Sequence, residues 1–192
     1  MTLITPTDGR QYPIGLWDGR DTYTSDERHD FIDQLRHLPA QYRQRTESLT
    51  DENLTYQYRP GGWTVRQLVH HVADTYHWHL FRVKQALAEA EKTTGLFASV
   101  NAWATLPDTL MGPVEHSLLL IEGIHYRWAF LCDRLSEADW TRAYYHPGRQ
   151  RDLSLAQALA VGVWHARHHL AHIELALHRT DAPGGIAVIN AG

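Results

Sequence analysis

The sequence predicts an all-α protein, a four-helix bundle with long crossover loops, and three observations carry that expectation. Four segments place apolar residues three and four positions apart, the repeat of a helix that buries one face. Three of these segments open with Ser or Thr followed three residues later by Glu or Gln, a pairing whose side chains satisfy free amides at a helix start. Runs that alternate apolar and polar residues, as a half-buried strand would, are too few to build a sheet.

Residues 1–23 are rich in Gly, Pro, Thr and Asp and read as an N-terminal arm, although Tyr12-Pro-Ile-Gly-Leu-Trp17 has enough apolar surface to be packed down. Thr24-Ser-Asp-Glu27 caps a first helix that continues to about Leu49, with a kink or short break expected at Pro39, which removes one helical hydrogen bond. Asp51, Asn53, Pro60, Gly61 and Gly62 make 50–63 a long loop. Thr64-Val-Arg-Gln67 opens a second helix, which runs through Val65, Leu68, Val69, Val72, Leu80, Val83 and Leu87 to about Glu91. Residues 93–112 form a long connection with a turn of helix near Ala102-Trp103, a length that often covers a site.

A third helix starts near Pro113 and carries Leu118, Leu119, Ile121, Ile124, Trp128, Leu131, Cys132 and Leu135. Ser136-Glu-Ala-Asp139 caps a short helix, and 143–153 reads as a polar loop. Ser154-Leu-Ala-Gln157 then opens a fourth long helix ending near Thr180, followed by a loose tail over 181–192. The bundle is thus expected over 24–180 of one domain spanning all 192 residues.

Composition narrows the function. The net charge is −4 with a pI near 6.4, and Lys and Arg are scattered, so neither nucleic acid nor an anionic membrane is an expected partner. No run approaches the roughly 18 apolar residues of a membrane span and the first ten residues lack a secretory core, which predicts a cytoplasmic protein acting on a small molecule. The single cysteine, Cys132, excludes an internal disulfide and falls in an apolar helical pattern, where burial is expected.

The histidines stand out. Of 14, four lie in Trp164-His-Ala-Arg-His-His-Leu-Ala-His172 and four more in the second helix, at 70, 71, 77 and 79. Histidine is a weak helix former whose two ring nitrogens both need partners when buried, so this density calls for a chemical reason. On a helical wheel Leu155, Leu159, Val163, Leu170, Ile173 and Leu177 form one arc, with His169 beside it and His165 next. The His165/His169 line also carries Ala158, Gly162 and Ala176, which leave room for a ligand or a neighbouring helix. His172 and His168 turn further away and are expected to be exposed or to stand behind the ligands. In the second helix His71, with Leu68 and Thr75, flanks the apolar arc, whereas His70 and His77 turn towards Arg66. His71, His165 and His169 are therefore the expected ligands of one divalent metal ion, zinc first and nickel second.

Gly61-Gly-Trp-Thr-Val-Arg-Gln-Leu-Val-His-His-Val-Ala-Asp74 and Val163-Trp-His-Ala-Arg-His-His-Leu-Ala-His-Ile173 resemble the DinB-like superfamily and, within it, the YfiT group of metal-dependent hydrolases. Tyr12-Pro-Ile-Gly15, the Trp128 region and Tyr144-Tyr-His-Pro147 are similar to that group too, so the resemblance covers about residues 10–180. It implies a four-helix bundle of the DinB/YfiT type, a homodimer, and one divalent metal on three histidines that map to His71, His165 and His169. Relatives of the group transfer bacillithiol, a low-molecular-weight thiol, to electrophiles. One departure matters: many DinB-like proteins have Glu directly after the first His of the HxxxH pair, and this sequence has Ala166. The helix therefore lacks the general base of a zincin HExxH motif.

Three neutral imidazoles leave the charge of the ion uncompensated and a coordination position open. Water there would have its pKa lowered towards about 7, which permits hydrolysis; a thiol there would bind as thiolate, the nucleophile of a small-thiol transferase. Thiol transfer is the leading expectation and hydrolysis the alternative. A third reading is a non-catalytic metal-binding interaction module. The connections at 50–63, 93–112 and 143–153 are expected to gather the ligands, with Trp63, Trp103, Tyr144 and Tyr145 as candidate lining residues.

Overall fold

The computed structural model describes residues 9–178. The ends expected near Thr180 and over 181–192, and the first eight residues of the arm, lie outside the described residues.

Four long helices dominate: α1 (Ser25–Thr46), α3 (Val65–Ala88), α6 (Val114–Cys132) and α8 (Leu155–Leu177). Short helices α2 (Asp51–Leu54), α4 (Val100–Trp103), α5 (Pro107–Met111) and α7 (Glu137–Trp140) interrupt the connections. Capping chemistry sets the starts. The Thr24, Thr64 and Ser154 side chains each accept the amide three residues on, and Glu27, Gln67 and Gln157 reach back to the cap amide. Ser136 and Asp139 do the same for α7. The third long helix has Pro113 at its N-cap and no side-chain cap. The break expected at Pro39 does not occur, since α1 runs continuously through it.

Around the bundle each long helix packs on two others, in the ring α1, α6, α3, α8. Side-chain pairs give the directions. Arg36 meets Asp133 and Arg43 meets Glu115, so α1 and α6 are antiparallel. Gln34 accepts from Arg167 while Arg45 meets Glu174, so α1 and α8 run the same way. His70 meets Ser117 and Tyr76 stacks on His125, which makes α3 and α6 parallel, while Tyr76 bonding to Gly162 and His71 meeting His165 makes α3 and α8 antiparallel. Two neighbouring pairs are therefore parallel and two antiparallel. A parallel pair needs a connection that travels back along the bundle, and residues 89–113 supply it between α3 and α6.

The core joins Leu35, Leu68, Val69, Ile121, Leu159 and Ile173, all at most 1% exposed. Two buried tyrosines tie helices together: Tyr42 donates to the Ala166 carbonyl and Tyr76 to that of Gly162, each at 2.6 Å. Cys132 is buried, as its pattern predicts. Leu119 is apolar but 52% exposed, because it lies off the buried face of α6.

The segment expected as a polar loop is instead a hairpin of β1 (Ala143–His146) and β2 (Arg151–Ser154), paired antiparallel with Tyr144 opposite Leu153. Those two residues are fully buried, and the turn closes through Gln150 in the left-handed conformation (φ 52°). Among the described residues no helix is long and apolar enough to cross a membrane.

Candidate metal centre

The antiparallel contact of α3 and α8 brings His71, His165 and His169 together. His165 and His169 sit one turn apart on α8, so their rings project from one face, and His71 reaches them from α3. The Nε2 atoms of His71 and His169 lie 3.2 and 3.1 Å from His165 Nε2. His71 and His169 are buried, and His165 partly so. Burial and then the neighbouring imidazoles hold His165 and His169 well below the ordinary histidine pKa; burial and then His168 lower His71 to about 3. All three rings are neutral at pH 7, the state in which imidazole ligates a metal.

The donor set fits a cation. His165 Nε2 can offer one proton or one lone pair, so it cannot satisfy both of its neighbours by hydrogen bonding. A tetrahedral zinc ion with nitrogens at about 2.0–2.1 Å separates its ligand atoms by about 3.3–3.4 Å, close to the spacing found here.

The tautomer of His169 follows from what stands behind it. His172 Nε2 lies 3.1 Å from the Arg10 carbonyl, which only accepts, so that nitrogen carries the proton. Burial lowers the His172 pKa to about 4, so the ring is neutral and its Nδ1 is bare. His169 Nδ1, 3.3 Å from that atom, therefore donates to it and leaves its own Nε2 lone pair facing His71 and His165. His172, expected to be exposed or to stand behind the ligands, is 2% exposed, stacks on Tyr58 at 3.9 Å and holds His169. His168 is buried as well, stacked on Trp164 at 4.7 Å. Together with His169 these two form a second compact group of nitrogens, in which the relay to Arg10 engages His169 and His172 but not His168. His165 has no comparable support, since its Nδ1 is buried without a partner among the described residues. His70 is structural: its Nε2 donates to the Gly112 carbonyl that Arg66 also contacts, and Ser117 meets its Nδ1.

The three imidazoles form one end of an open cavity of about 670 Å³. Each connection expected to cover the site contributes to it: Trp63 from the first, Phe97 to Asn101 from the second, His146, Gly148 and Arg149 from the third. Of the four aromatic candidates only Trp63 lines it, its ring 4.6 Å from that of His71. Trp103 packs edge-on against Trp78 at 4.7 Å, Tyr144 is fully buried, and Tyr145 is 37% exposed. Sequence reasoning missed Trp78, His79, Arg82, Phe97, His146 and Arg149. For α3 a signal existed, because Thr75, His79 and Arg82 follow His71 at one, two and three turns and so share its face. Burial holds the His79 pKa well below its ordinary value and brings His146 to about 4, with Arg82 the next cause for each. Among the described residues no Asp or Glu lines the cavity.

The sequence pattern of the DinB superfamily matches residues 34–173. A "putative metal-dependent hydrolase" of Bacillus pumilus is 42% identical over 171 residues, covering 89% of this chain and 97% of the relative. The "putative metal-dependent hydrolase YfiT" of Bacillus subtilis is 36% identical over 162 residues, covering 84% and 90%. The solved structure of that YfiT, described as "a probable metal-dependent hydrolase with an unusual four-helix bundle topology", aligns with a TM-score of 0.84 at 37% identity, covering 88% of this chain and 96% of YfiT. Similarity over nearly the full length of these relatives, joined to a shared four-helix fold, means that the chain belongs to the DinB superfamily.

Proposed function

We propose that the protein is a metal-dependent enzyme that transfers a low-molecular-weight thiol to an electrophilic small molecule, with His71, His165 and His169 holding one divalent ion, zinc before nickel. One observation carries this reading: three neutral imidazoles converge at the end of an open cavity lined by no carboxylate of the described residues. A bound ion supplies Lewis acidity and thiolate formation at neutral pH, which removes the need for a carboxylate base. The chain's own residues do the rest. His172 keeps the lone pair of His169 Nε2 turned towards its partners, while Trp63, Trp78 and Phe97 wall the cavity with apolar surface that restricts water.

The names of the relatives favour hydrolysis as the second reading. In that case the proton of the attacking water would pass to a neutral imidazole, and His79, whose ring nitrogens Arg82 does not engage, is the one in the cavity wall. Zinc-loaded protein incubated with bacillithiol, glutathione or cysteine and a fluorogenic electrophile separates the two. Thiol-dependent turnover abolished in His169→Ala is the expected result. Turnover of esters or amides without any thiol-dependent rate would move the assignment to a hydrolase, and inactivity in both assays would leave a metal-binding module. The homodimer implied by the family resemblance is likewise proposed, with sedimentation velocity at micromolar concentration as its measure.

A further inference from the structure

The wall of the cavity beyond the three imidazoles holds two arginines without counter-ions among the described residues. Arg82 is 4% exposed. Its Nη1 donates to His146 Nε2 at 3.3 Å and its Nη2 to the Leu96 carbonyl, while its Nε is buried without a partner. The connection after α3 is shaped to admit it, since a Cβ at Gly95 would lie 2.8 Å from that Nε. Arg149 stands on the turn of the β1–β2 hairpin, its guanidinium 4.9 Å from the centre of the Trp17 ring. Neither meets a carboxylate of the described residues, whereas Arg28, Arg36, Arg45 and Arg66 on the outer surface each do.

A buried guanidinium is normally paired, because an uncompensated charge away from water is costly. Arg82 is such a group: burial lowers its pKa, as it does that of the more exposed Arg149, and what opposes the shift in each case is the Tyr144 phenol rather than a carboxylate. The remaining polar atoms point the same way. Because Arg82 donates to His146 Nε2, the neutral His146 ring carries its proton on Nδ1, a second buried donor without a partner. Arg82 and Arg149 thus bring positive charge to a cavity whose described lining residues include no carboxylate.

We propose that Arg82 and Arg149 form an oxyanion-binding pole of the cavity, which takes a carboxylate or phosphate group of the small-molecule thiol or of its co-substrate while the reacting end of that molecule lies at the three histidines. The planar guanidinium fork matches both anions. The inference rests on the proposed function for the identity of the ligand, but the pole itself can be read without thiol or electrophile.

The test is equilibrium binding of succinate and of inorganic phosphate to the metal-loaded full-length protein at low ionic strength. It is followed by calorimetry and by the fluorescence of Trp63 and Trp78, which line the cavity. Saturable binding is expected, weakened about tenfold or more in Arg82→Gln and in Arg149→Gln and retained in His169→Ala. Arg82 is packed under the second connection, so if its variant does not fold, Arg149→Gln, on an exposed turn, decides alone. Preference for one anion over the other assigns the ligand group as carboxylate or phosphate. The proposal is overturned by absent binding of both anions, by unchanged affinity in folded Arg149→Gln, or by binding lost only in His169→Ala, which would put the anion on the metal. Thiol transfer by a protein that binds neither anion would sink the pole and leave the function; the reverse pattern would do the opposite.

Discussion

His172 does not reach the converging nitrogens, yet it decides which nitrogen of His169 is free to join them. Replacing it with Phe keeps the stack on Tyr58 and removes both relay bonds, to His169 and to the Arg10 carbonyl. Zinc affinity, measured by competition with a chromophoric chelator, should fall about 10- to 100-fold in His172→Phe. His172→Gln should recover part of it, since an amide can accept from His169 and donate to Arg10. Equal affinity in wild type and His172→Phe would show that the relay contributes nothing to the site. The direct ligands should behave more severely, with metal content lost from His71→Ala, His165→Ala and His169→Ala; undiminished metal in any one removes that residue from the site.

At the scale of the element, α8 shows how a pattern of small residues becomes specific. Ala158, Gly162 and Ala176 mark a line where something approaches closely, and at Gly162 that something is the indole of Trp128. A Cβ there would lie 2.5 Å from the ring, and the glycine carbonyl already accepts from Tyr76. The space serves the packing of α6 and α3 on α8 rather than a ligand. Gly162→Ala has no soft neighbour to displace, so urea unfolding should show a loss of about 1–3 kcal/mol despite the better helix propensity of alanine. A stabilised variant would mean that Trp128 has another place to go. The hairpin shows the opposite case, in which four-residue strands with one buried residue each, Tyr144 and Leu153, are too short to reveal a period.

Across the whole molecule, burial of histidines makes stability depend on pH. His125, fully buried on α6, stacks on Tyr76 at 4.0 Å, donates from Nδ1 to the Ile121 carbonyl, and has no partner for Nε2. Burial lowers its pKa to about 3, against about 6.5 in an unfolded chain. Below pH 6.5 the unfolded state thus takes up a proton that the folded state refuses. The contribution of this group is complete above that pH and is lost as the pH falls towards 3, at about 1.4 kcal/mol per pH unit. Between about pH 7 and about pH 5, with chelator present throughout, wild type should lose about 2 kcal/mol more than His125→Phe in urea unfolding. Parallel losses in the two proteins would contradict the assignment.

The sequence by itself determined the helices and their caps and singled out three histidines, because each of these depends on residues within one or two turns of one another. Capping boxes at Thr24, Thr64 and Ser154 are local hydrogen bonds, and the choice of His71, His165 and His169 over their neighbours needed only the side on which apolar residues lie. What depends on distant contacts was decided by the tertiary structure. The ring order α1, α6, α3, α8 with its two parallel pairs follows from how the connections travel, which no helical period encodes. His172 became a support for His169 only because the arm brings the Arg10 carbonyl to it across the chain. Arg82 and Arg149 share a cavity because the hairpin folds over α3, and a charge without its counter-ion can be recognised only once everything around it is in place.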